Sequence, residues 1–197
     1  RPFNAHTKLV VTAGNVEAFL SPQSEAPEMA ALPRPLIGTV GALDRYKIDF
    51  ELIEAAARLR PHWSFVFVGA PVLDRHTPTL ARLKKLPNVH VLGAVSPDKV
   101  PGYARAFDVC IIPYRSNAYN AASFPLKFWE FMATGKPVVA TGVPELKEYQ
   151  SLIGYAESTE EFEQKIETAL RFSTGSERRR ALARQQADDT EAAPFGQ

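Results

Sequence analysis

Between Pro35 and Ala140, short apolar runs alternate with segments of helical periodicity. Each run is about the length of one strand and carries few charges, which is typical of strands covered on both faces. The five runs are Pro35–Val40, Trp63–Val68, Val89–Leu92, Asp108–Pro113 and Val138–Ala140. The intervening segments are predicted helices. This alternation predicts an α/β fold: a Rossmann-like, doubly wound parallel sheet with helices on both faces.

Helices are predicted from apolar residues that recur every three to four positions. Ser158 with Glu161 has the spacing of a capping box, in which the two side chains bond to the first free N–H groups of a helix. The predicted helices are Asp49–Leu59, Thr77–Lys85, Pro97–Ala106, Ser123–Thr134 and Ser158–Phe172.

The flanks of this alternation differ from it in composition. Four prolines between residues 21 and 35 predict an irregular linker, and Leu9–Thr12 is a further strand candidate. We therefore divide the chain into an inter-domain crossing and linker (1–34), a main domain (35–172) and a C-terminal helical tail (173–197). The sequence begins at Arg1 rather than at Met, so we expect it to be a piece of a longer protein.

The overall composition excludes several classes of function. With 197 residues, 45% of them apolar, the chain can bury a sizeable core, yet no apolar stretch approaches the roughly 20 residues of a membrane span. Its 23 basic and 22 acidic residues argue against a nucleic-acid partner. The single cysteine, Cys110, excludes an internal disulfide and fits a reducing compartment, so we expect a cytoplasmic location.

The segment Ser123–Ala140 carries the strongest functional signal. A Ser-x-Pro cap predicts a helix that begins at Ser123 and ends at Gly135, just before a buried strand. Because such a helix points its free N–H groups at the mouth of the sheet, it forms an anion site. Glu130, two turns further in, can accept hydrogen bonds from sugar hydroxyls. The alternative is a surface carboxylate or an ion-pair partner.

Two loops at predicted carboxyl ends of strands are the next candidates, because ligands of open α/β sheets bind there. After the first strand, Gly41 permits close approach to a ligand, and Arg45 and Lys47 can neutralise a diphosphate. The alternative is a plain tight turn with solvated charges. After the fourth strand, the polar loop 114–120 is long enough to line a pocket.

Several familiar sites are missing from the sequence. The first loop has G-x-x-G but not G-x-G-x-x-G, which disfavours a nicotinamide or flavin enzyme, and no Walker A loop is present. None of the four histidines lies at ligand spacing from another histidine or a cysteine, so no metal site is predicted. No G-x-S-x-G elbow exists for a serine hydrolase.

Taken together, these motifs resemble GT-B glycosyltransferases, specifically the C-terminal, donor-binding half of family 4-like members, many of which build bacterial surface polysaccharides. The resemblance covers about residues 35–172, and its specific part is Pro125–Val139. It implies that Glu130 binds the ribose of the donor nucleotide. It also implies that Arg45 and Lys47 contact the diphosphate and stabilise it as a leaving group.

Further implications of the resemblance concern the ligand and the partners. Gly41, Asn117, Lys127 and the backbone amides of Ser123 and Phe124 would complete the donor site. The donor would be a UDP- or GDP-sugar, bound without an obligatory metal or other cofactor. Sugar transfer of the hexosyltransferase type would need an N-terminal acceptor domain that is missing here, so this piece would bind donor without turnover.

One departure from the family pattern keeps an alternative open. Many members carry a glutamate eight residues before the one that matches Glu130, but this chain has Ala122 there. Asn117, Asn120 or Lys127 can replace its contact with the donor sugar. The alternative function is a non-catalytic α/β module for nucleotide binding or assembly.

The tail contains Arg178, Arg179, Arg180 and Arg184. One interpretation is a solvated helix face. The other is a peripheral contact with the inner face of a membrane, because basic clusters attract anionic lipid.

Overall fold

The computed structural model describes residues 14–72 and 78–192. Within them, six strands form one parallel sheet: β1 (Leu36–Val40), β2 (Ser64–Val68), β3 (Val89–Gly93), β4 (Val109–Pro113), β5 (Val138–Thr141) and β6 (Gly154–Tyr155). Their order is β3-β2-β1-β4-β5-β6, so the direction of winding reverses between β1 and β4. This confirms the predicted Rossmann-like fold and places its switch point at the β1–β4 pair.

Helices cover both faces of the sheet. They are α1 (Val16–Leu20), α2 (Phe50–Leu59), α3 (Pro78–Leu83), α4 (Val100–Ala106), α5 (Ala118–Ala121), α6 (Lys127–Thr134), α7 (Thr159–Arg171) and α8 (Ser176–Glu191). One layer contains α2, α3 and α7, and the other contains α4 and α6. Helices α1 and α8 pack against α6 from outside, so α6 is held between the sheet and both flanking helices.

The core lies where the central strands are sandwiched. Every residue of β1, β2, β4 and β5 is buried, which explains their continuous apolar runs. The edge strand β3 is only partly buried. Gly38 in β1 is required by packing, because a Cβ there would lie 2.1 Å from the ring of Phe107.

Two helix starts agree with the sequence pattern. The Asp49 side chain accepts a hydrogen bond of 3.0 Å from the N–H of Leu52 and caps α2. The Ser158 hydroxyl accepts from the N–H of Glu161 at 3.2 Å and caps α7. These caps satisfy N–H groups that have no partner inside the helix.

The regions before the sheet differ in part from the prediction. The strand candidate Leu9–Thr12 lies outside the described residues. The proline-rich linker contains a 3₁₀ helix, Pro27–Ala31, whose Met29 is only 1% exposed and packs into the core. The two-residue strand β6 and the one-turn helix α5 were not predicted, because elements this short carry no measurable periodicity.

The tail is helical as predicted, but the interpretation as a solvated helix face is wrong for two of its arginines, which contact the main domain. Arg179 is 4% exposed, and its Nε and Nη2 donate to the carbonyl of Gly135 at 3.1 and 2.9 Å. Arg180 Nη2 donates to the carbonyl of Thr134 at 3.0 Å. Both carbonyls lie at the C-terminal end of α6, where cations are favoured. Tail and main domain are therefore in contact, while the proposed boundaries at 34/35 and 172/173 stay predictions.

The exposed Arg178 and Arg184 leave the membrane interpretation untested. Among the described residues, no helix has both the length and the apolar character needed to cross a bilayer.

Candidate functional site

A cleft of about 580 Å³ opens at the carboxyl ends of β1 and β4. This is the switch point of the sheet, where open α/β folds bind ligands. Its walls come from the loop after β1, from Tyr114 after β4, from the start of α6, and from α1 and α4. The lining residues are Asn15, Phe19, Val40, Gly41, Ala42, Asp44, Lys47, Pro97, Val100, Tyr114, Ser123, Phe124, Pro125, Leu126, Lys127 and Glu130.

Gly41 shapes the wall that follows β1. Its φ of +104° belongs to the region that favours glycine, and its N–H donates to the carbonyl of Val68 at 2.8 Å. That N–H is therefore not available to a ligand. A Cβ at Gly41 would lie 3.4 Å from Lys127 Nζ, so the missing side chain leaves room around this ammonium group.

Lys127 is a half-buried cation in the first turn of α6. Its Nζ donates to the carbonyl of Val40 at 2.5 Å and lies 5.5 Å from the ring centroid of Tyr114. Burial lowers the pKa of Lys127 to about 8, although the nearby Glu130 carboxylate raises it and Lys47 lowers it further. An anion in the cleft would relieve this desolvated charge.

Lys47 is the second cation of the cleft. Its Nζ lies 5.5 Å from the ring centroid of Tyr119, whose side chain is exposed. Two lysines on different elements thus point toward one space, and their mutual repulsion favours a ligand with negative charge.

Glu130 is the half-buried carboxylate of the cleft, one turn of α6 beyond Lys127. Burial raises the pKa of Glu130 above its usual value, while the N–H of Asn15 and the charge of Lys127 lower it. The Asn15 N–H donates to Glu130 Oε1 at 3.4 Å. Cations and a hydrogen-bond acceptor are therefore neighbours in this cleft, as a ligand with both phosphates and hydroxyls requires.

The start of α6 corrects one prediction. The helix begins at Lys127 rather than at Ser123, and Ser123 makes no cap hydrogen bond. The residue before a proline avoids helical geometry, which here keeps Phe124 outside the helix. The Ser123 N–H donates to the carbonyl of Asn120 at 3.3 Å, so it is not an anion donor either. The N–H of Phe124 makes no hydrogen bond within the described part of the chain and remains available at the cleft wall.

The structure places three candidate residues away from the cleft lining. The guanidinium of Arg45 stacks on the ring of Tyr46, with Cζ 5.8 Å from the ring centroid. The Asn117 side chain donates to the carbonyl of Tyr46 at 2.7 Å and caps α5. Asn120 is buried, and its amide donates to the carbonyls of Lys47 and Arg115. Of the three candidates to replace the glutamate missing at Ala122, only Lys127 lines the cleft.

Sequence reasoning missed several lining residues. Asn15 and Phe19 come from α1 and its N-terminal turn, more than 100 residues from Glu130 in the chain. No local pattern could have revealed that distant contact. Asp44, by contrast, lies in the loop between Gly41 and Lys47 that the strand-end rule had selected.

Among residues 14–72 and 78–192, no group of three or more histidine, cysteine, aspartate or glutamate side chains has the arrangement needed to hold a metal ion. Cys110 is fully buried, and burial raises the pKa of its thiol to about 12, so it is not a reactive nucleophile.

Comparison with protein families gives a match over most of the chain. The model of the family described as glycosyl transferases group 1 matches residues 34–171. TuaH of Bacillus subtilis (strain 168), named as a teichuronic acid biosynthesis glycosyltransferase, is 37% identical over 135 residues. That region is 67% of this chain but 34% of TuaH, so the chain spans about a third of this relative's length.

Solved structures share the fold at low identity. HepE of Anabaena, crystallised in complex with UDP and glucose, is 19% identical with a TM-score of 0.68, over 93% of this chain and 54% of HepE. Sucrose-phosphate synthase of Thermosynechococcus elongatus is 22% identical with a TM-score of 0.65, over 94% of this chain and 48% of the synthase. The C-terminal domain of the group 1 protein LpcC of Francisella tularensis is 20% identical with a TM-score of 0.58, over 90% of this chain and 96% of the LpcC domain.

Proposed function

Because this chain belongs to the glycosyl transferases group 1 family, we propose that its cleft binds the diphosphate and ribose of a nucleotide-sugar donor. The observation that carries the proposal is the convergence of Lys47, Lys127 and Glu130 at the switch point of the sheet. Two cations suit a diphosphate, and a half-buried carboxylate suits vicinal hydroxyls. A nucleoside diphosphate carries both groups side by side.

In this proposal, Lys127 and Lys47 bind the diphosphate and the Phe124 N–H adds a backbone donor. During transfer, the bond between the sugar's anomeric carbon and the diphosphate oxygen breaks. The oxygen of an acceptor hydroxyl forms the new bond to that carbon, and its proton is released with the diphosphate. Negative charge then grows on the departing diphosphate. Because Lys127 is already desolvated and held by the Val40 carbonyl, it stabilises that charge without reorganising.

The Glu130 carboxylate is proposed to accept hydrogen bonds from the ribose hydroxyls. It lies one helical turn from Lys127, so a nucleotide whose diphosphate contacts Lys127 brings its ribose toward Glu130. Hydrogen bonds to an ionised group are stronger than neutral ones, which makes this contact a main source of affinity.

The donor is proposed to be a UDP- or GDP-sugar. The acceptor side of the reaction is assigned to a further domain, because the chain spans about a third of TuaH and about half of HepE. By analogy with the name of TuaH, the complete enzyme is proposed to transfer a hexosyl unit in surface polysaccharide synthesis.

Isothermal titration of the chain with UDP, GDP, UDP-glucose and GDP-mannose tests the proposal. We expect one of the two diphosphate families to bind, and Glu130→Ala to weaken that binding at least about tenfold. A folded chain that binds none of the four ligands would overturn the donor site. A nucleotide that binds equally well to Glu130→Ala would instead support the non-catalytic module.

A further inference from the structure

The segment Gly14–Ser21 lies before the domain predicted from sequence, yet it forms one wall of the cleft. Asn15 and Phe19 line that wall, and α1 packs against α6 and α8. Val16 and Phe19 are buried in the core. The segment is therefore built into the donor-binding unit, and its position relative to α6 is fixed by packing.

The N-terminal end of this segment contacts Glu130 directly. The Asn15 N–H donates to Glu130 Oε1 at 3.4 Å. Gly14 has a φ of +69°, and a Cβ there would lie 3.0 Å from the same oxygen and 3.4 Å from Glu130 Cγ. An alanine there would push the carboxylate away by a few tenths of an ångström, and the positive φ would add backbone strain.

The C-terminal end of the segment is held by Arg105, in the last turn of α4. Its Nη2 donates to three consecutive carbonyls, those of Phe19, Leu20 and Ser21, at 2.8, 3.3 and 2.7 Å. The guanidinium is thus dedicated to the carbonyls at the end of α1, where a positive charge is favoured. This anchor ties the segment to α4, whose own contacts are with β1 and α6.

We propose that Gly14, Asn15 and Arg105 are positioning residues of the donor site, which hold the Glu130 carboxylate in the orientation that contacts the ligand's ribose. Arg105 fixes α1, α1 fixes the turn at Gly14 and Asn15, and the Asn15 N–H fixes one carboxylate oxygen. Rotation of the carboxylate is thereby restricted before the ligand arrives, so less conformational entropy is lost on binding. The inference rests on the proposed function, in which Glu130 binds ribose hydroxyls.

The test is ribose discrimination, measured by titration as the ratio of the Kd of 2′,3′-dideoxy-UDP to that of UDP, or of the guanosine pair if GDP is the ligand. We expect the wild-type chain to prefer the full ribose by roughly tenfold or more. Gly14→Ala should lower this preference at least about threefold and leave the Kd of the dideoxy analogue unchanged.

Gly93→Ala is the matched control for Gly14→Ala. Gly93 also has a positive φ, +78°, but nothing lies within 4 Å of the Cβ position. Both substitutions therefore carry similar backbone strain, and only one reaches the carboxylate. The control should keep the wild-type discrimination.

Three further variants keep the test decisive if Gly14→Ala folds poorly. Asn15→Pro removes the donating N–H itself and should lower discrimination as Gly14→Ala does. Arg105→Ala should also lower it, and Arg105→Lys, which retains a cation with fewer donors, should restore part of it. A merely structural role would lower the melting temperature of these variants and leave the ratio unchanged.

The outcomes separate the two proposals. If the wild-type chain binds no nucleoside diphosphate, the proposed function fails and the positioning role falls with it. If the wild type discriminates and Glu130→Ala abolishes the discrimination, the donor site stands. In that case, unchanged ratios in folded Gly14→Ala, Asn15→Pro and Arg105→Ala would overturn the positioning role alone.

Discussion

Replacing Lys127 by methionine tests the diphosphate half of the proposed site. The substitution removes a half-buried ammonium that donates to the Val40 carbonyl, and it keeps an unbranched side chain of similar length. Hydrogen bonds to charged groups contribute about 1.5–3 kcal/mol, and 1.4 kcal/mol corresponds to tenfold in Kd. We therefore expect the Kd of UDP to rise by about 10- to 100-fold.

The assay is isothermal titration at pH 7 with UDP and with uridine, which has the same ribose and base but no phosphates. Uridine should bind Lys127→Met as it binds the wild type, because the lost charge faces the diphosphate. Folding should be largely preserved, since the cost of losing the Val40 hydrogen bond is offset by removing a desolvated cation. Lys85→Met, which alters an exposed lysine outside the cleft, should bind UDP normally.

Two results would contradict a role for Lys127 in binding the diphosphate. Equal weakening of UDP and uridine would mean that Lys127 supports the shape of the cleft rather than the phosphates. An unchanged Kd for UDP would remove Lys127 from the site altogether.

Three further predictions concern the remaining groups. Glu130→Gln should weaken UDP by about 10-fold or more in titrations, while pyrophosphate, which lacks ribose, should bind as before. Raising the pH above about 8 should weaken UDP binding in the wild type but not in Lys127→Met, because Lys127 loses its charge. Between pH 8 and 10.5, the free energy of unfolding of the ligand-free chain should rise with pH, because Lys127 is then protonated in the unfolded state and neutral in the folded state. Arg179→Met should lower the melting temperature by about 2–12 °C in thermal denaturation, because the Gly135 carbonyl loses its buried partner, whereas the exposed Arg184→Met should not.

Much of the sheet was predictable because each central strand is buried on both faces. The apolar run 65–68, which lies between two helical segments, is typical of such a buried strand. The strand β6 was missed because two residues carry no period, and α6 was predicted to begin four residues early because the Ser-x-Pro pattern does not show that the helix starts only two residues after the proline.

The site was predictable where it depends on topology. Gly41 and Lys47 lie in the loop after β1 and Lys127 and Glu130 lie in α6, yet the strand-end rule brings both elements to one edge of the sheet. Side-chain direction within a loop follows no such rule, so Arg45 could not be distinguished from Lys47 in advance. The contact of Asn15 with Glu130 joins residues 115 positions apart and depends on the packing of α1, which no local pattern encodes.

The buried Arg179 illustrates the same limit in the tail. A run of three arginines in a polar helix is typical of a solvated face, and two of the three instead bind the C-terminal carbonyls of α6. These contacts depend on the packing of the start of α8 against the end of α6, which no local pattern encodes.

A crystal structure of the chain with UDP, or with GDP if titration selects it, tests the central claim most directly. We expect the diphosphate within hydrogen-bond distance of Lys127 Nζ and the ribose hydroxyls at the Glu130 carboxylate. A nucleotide found elsewhere, for example in the basic cleft between α7 and α8 lined by Lys165 and Arg178, would contradict it.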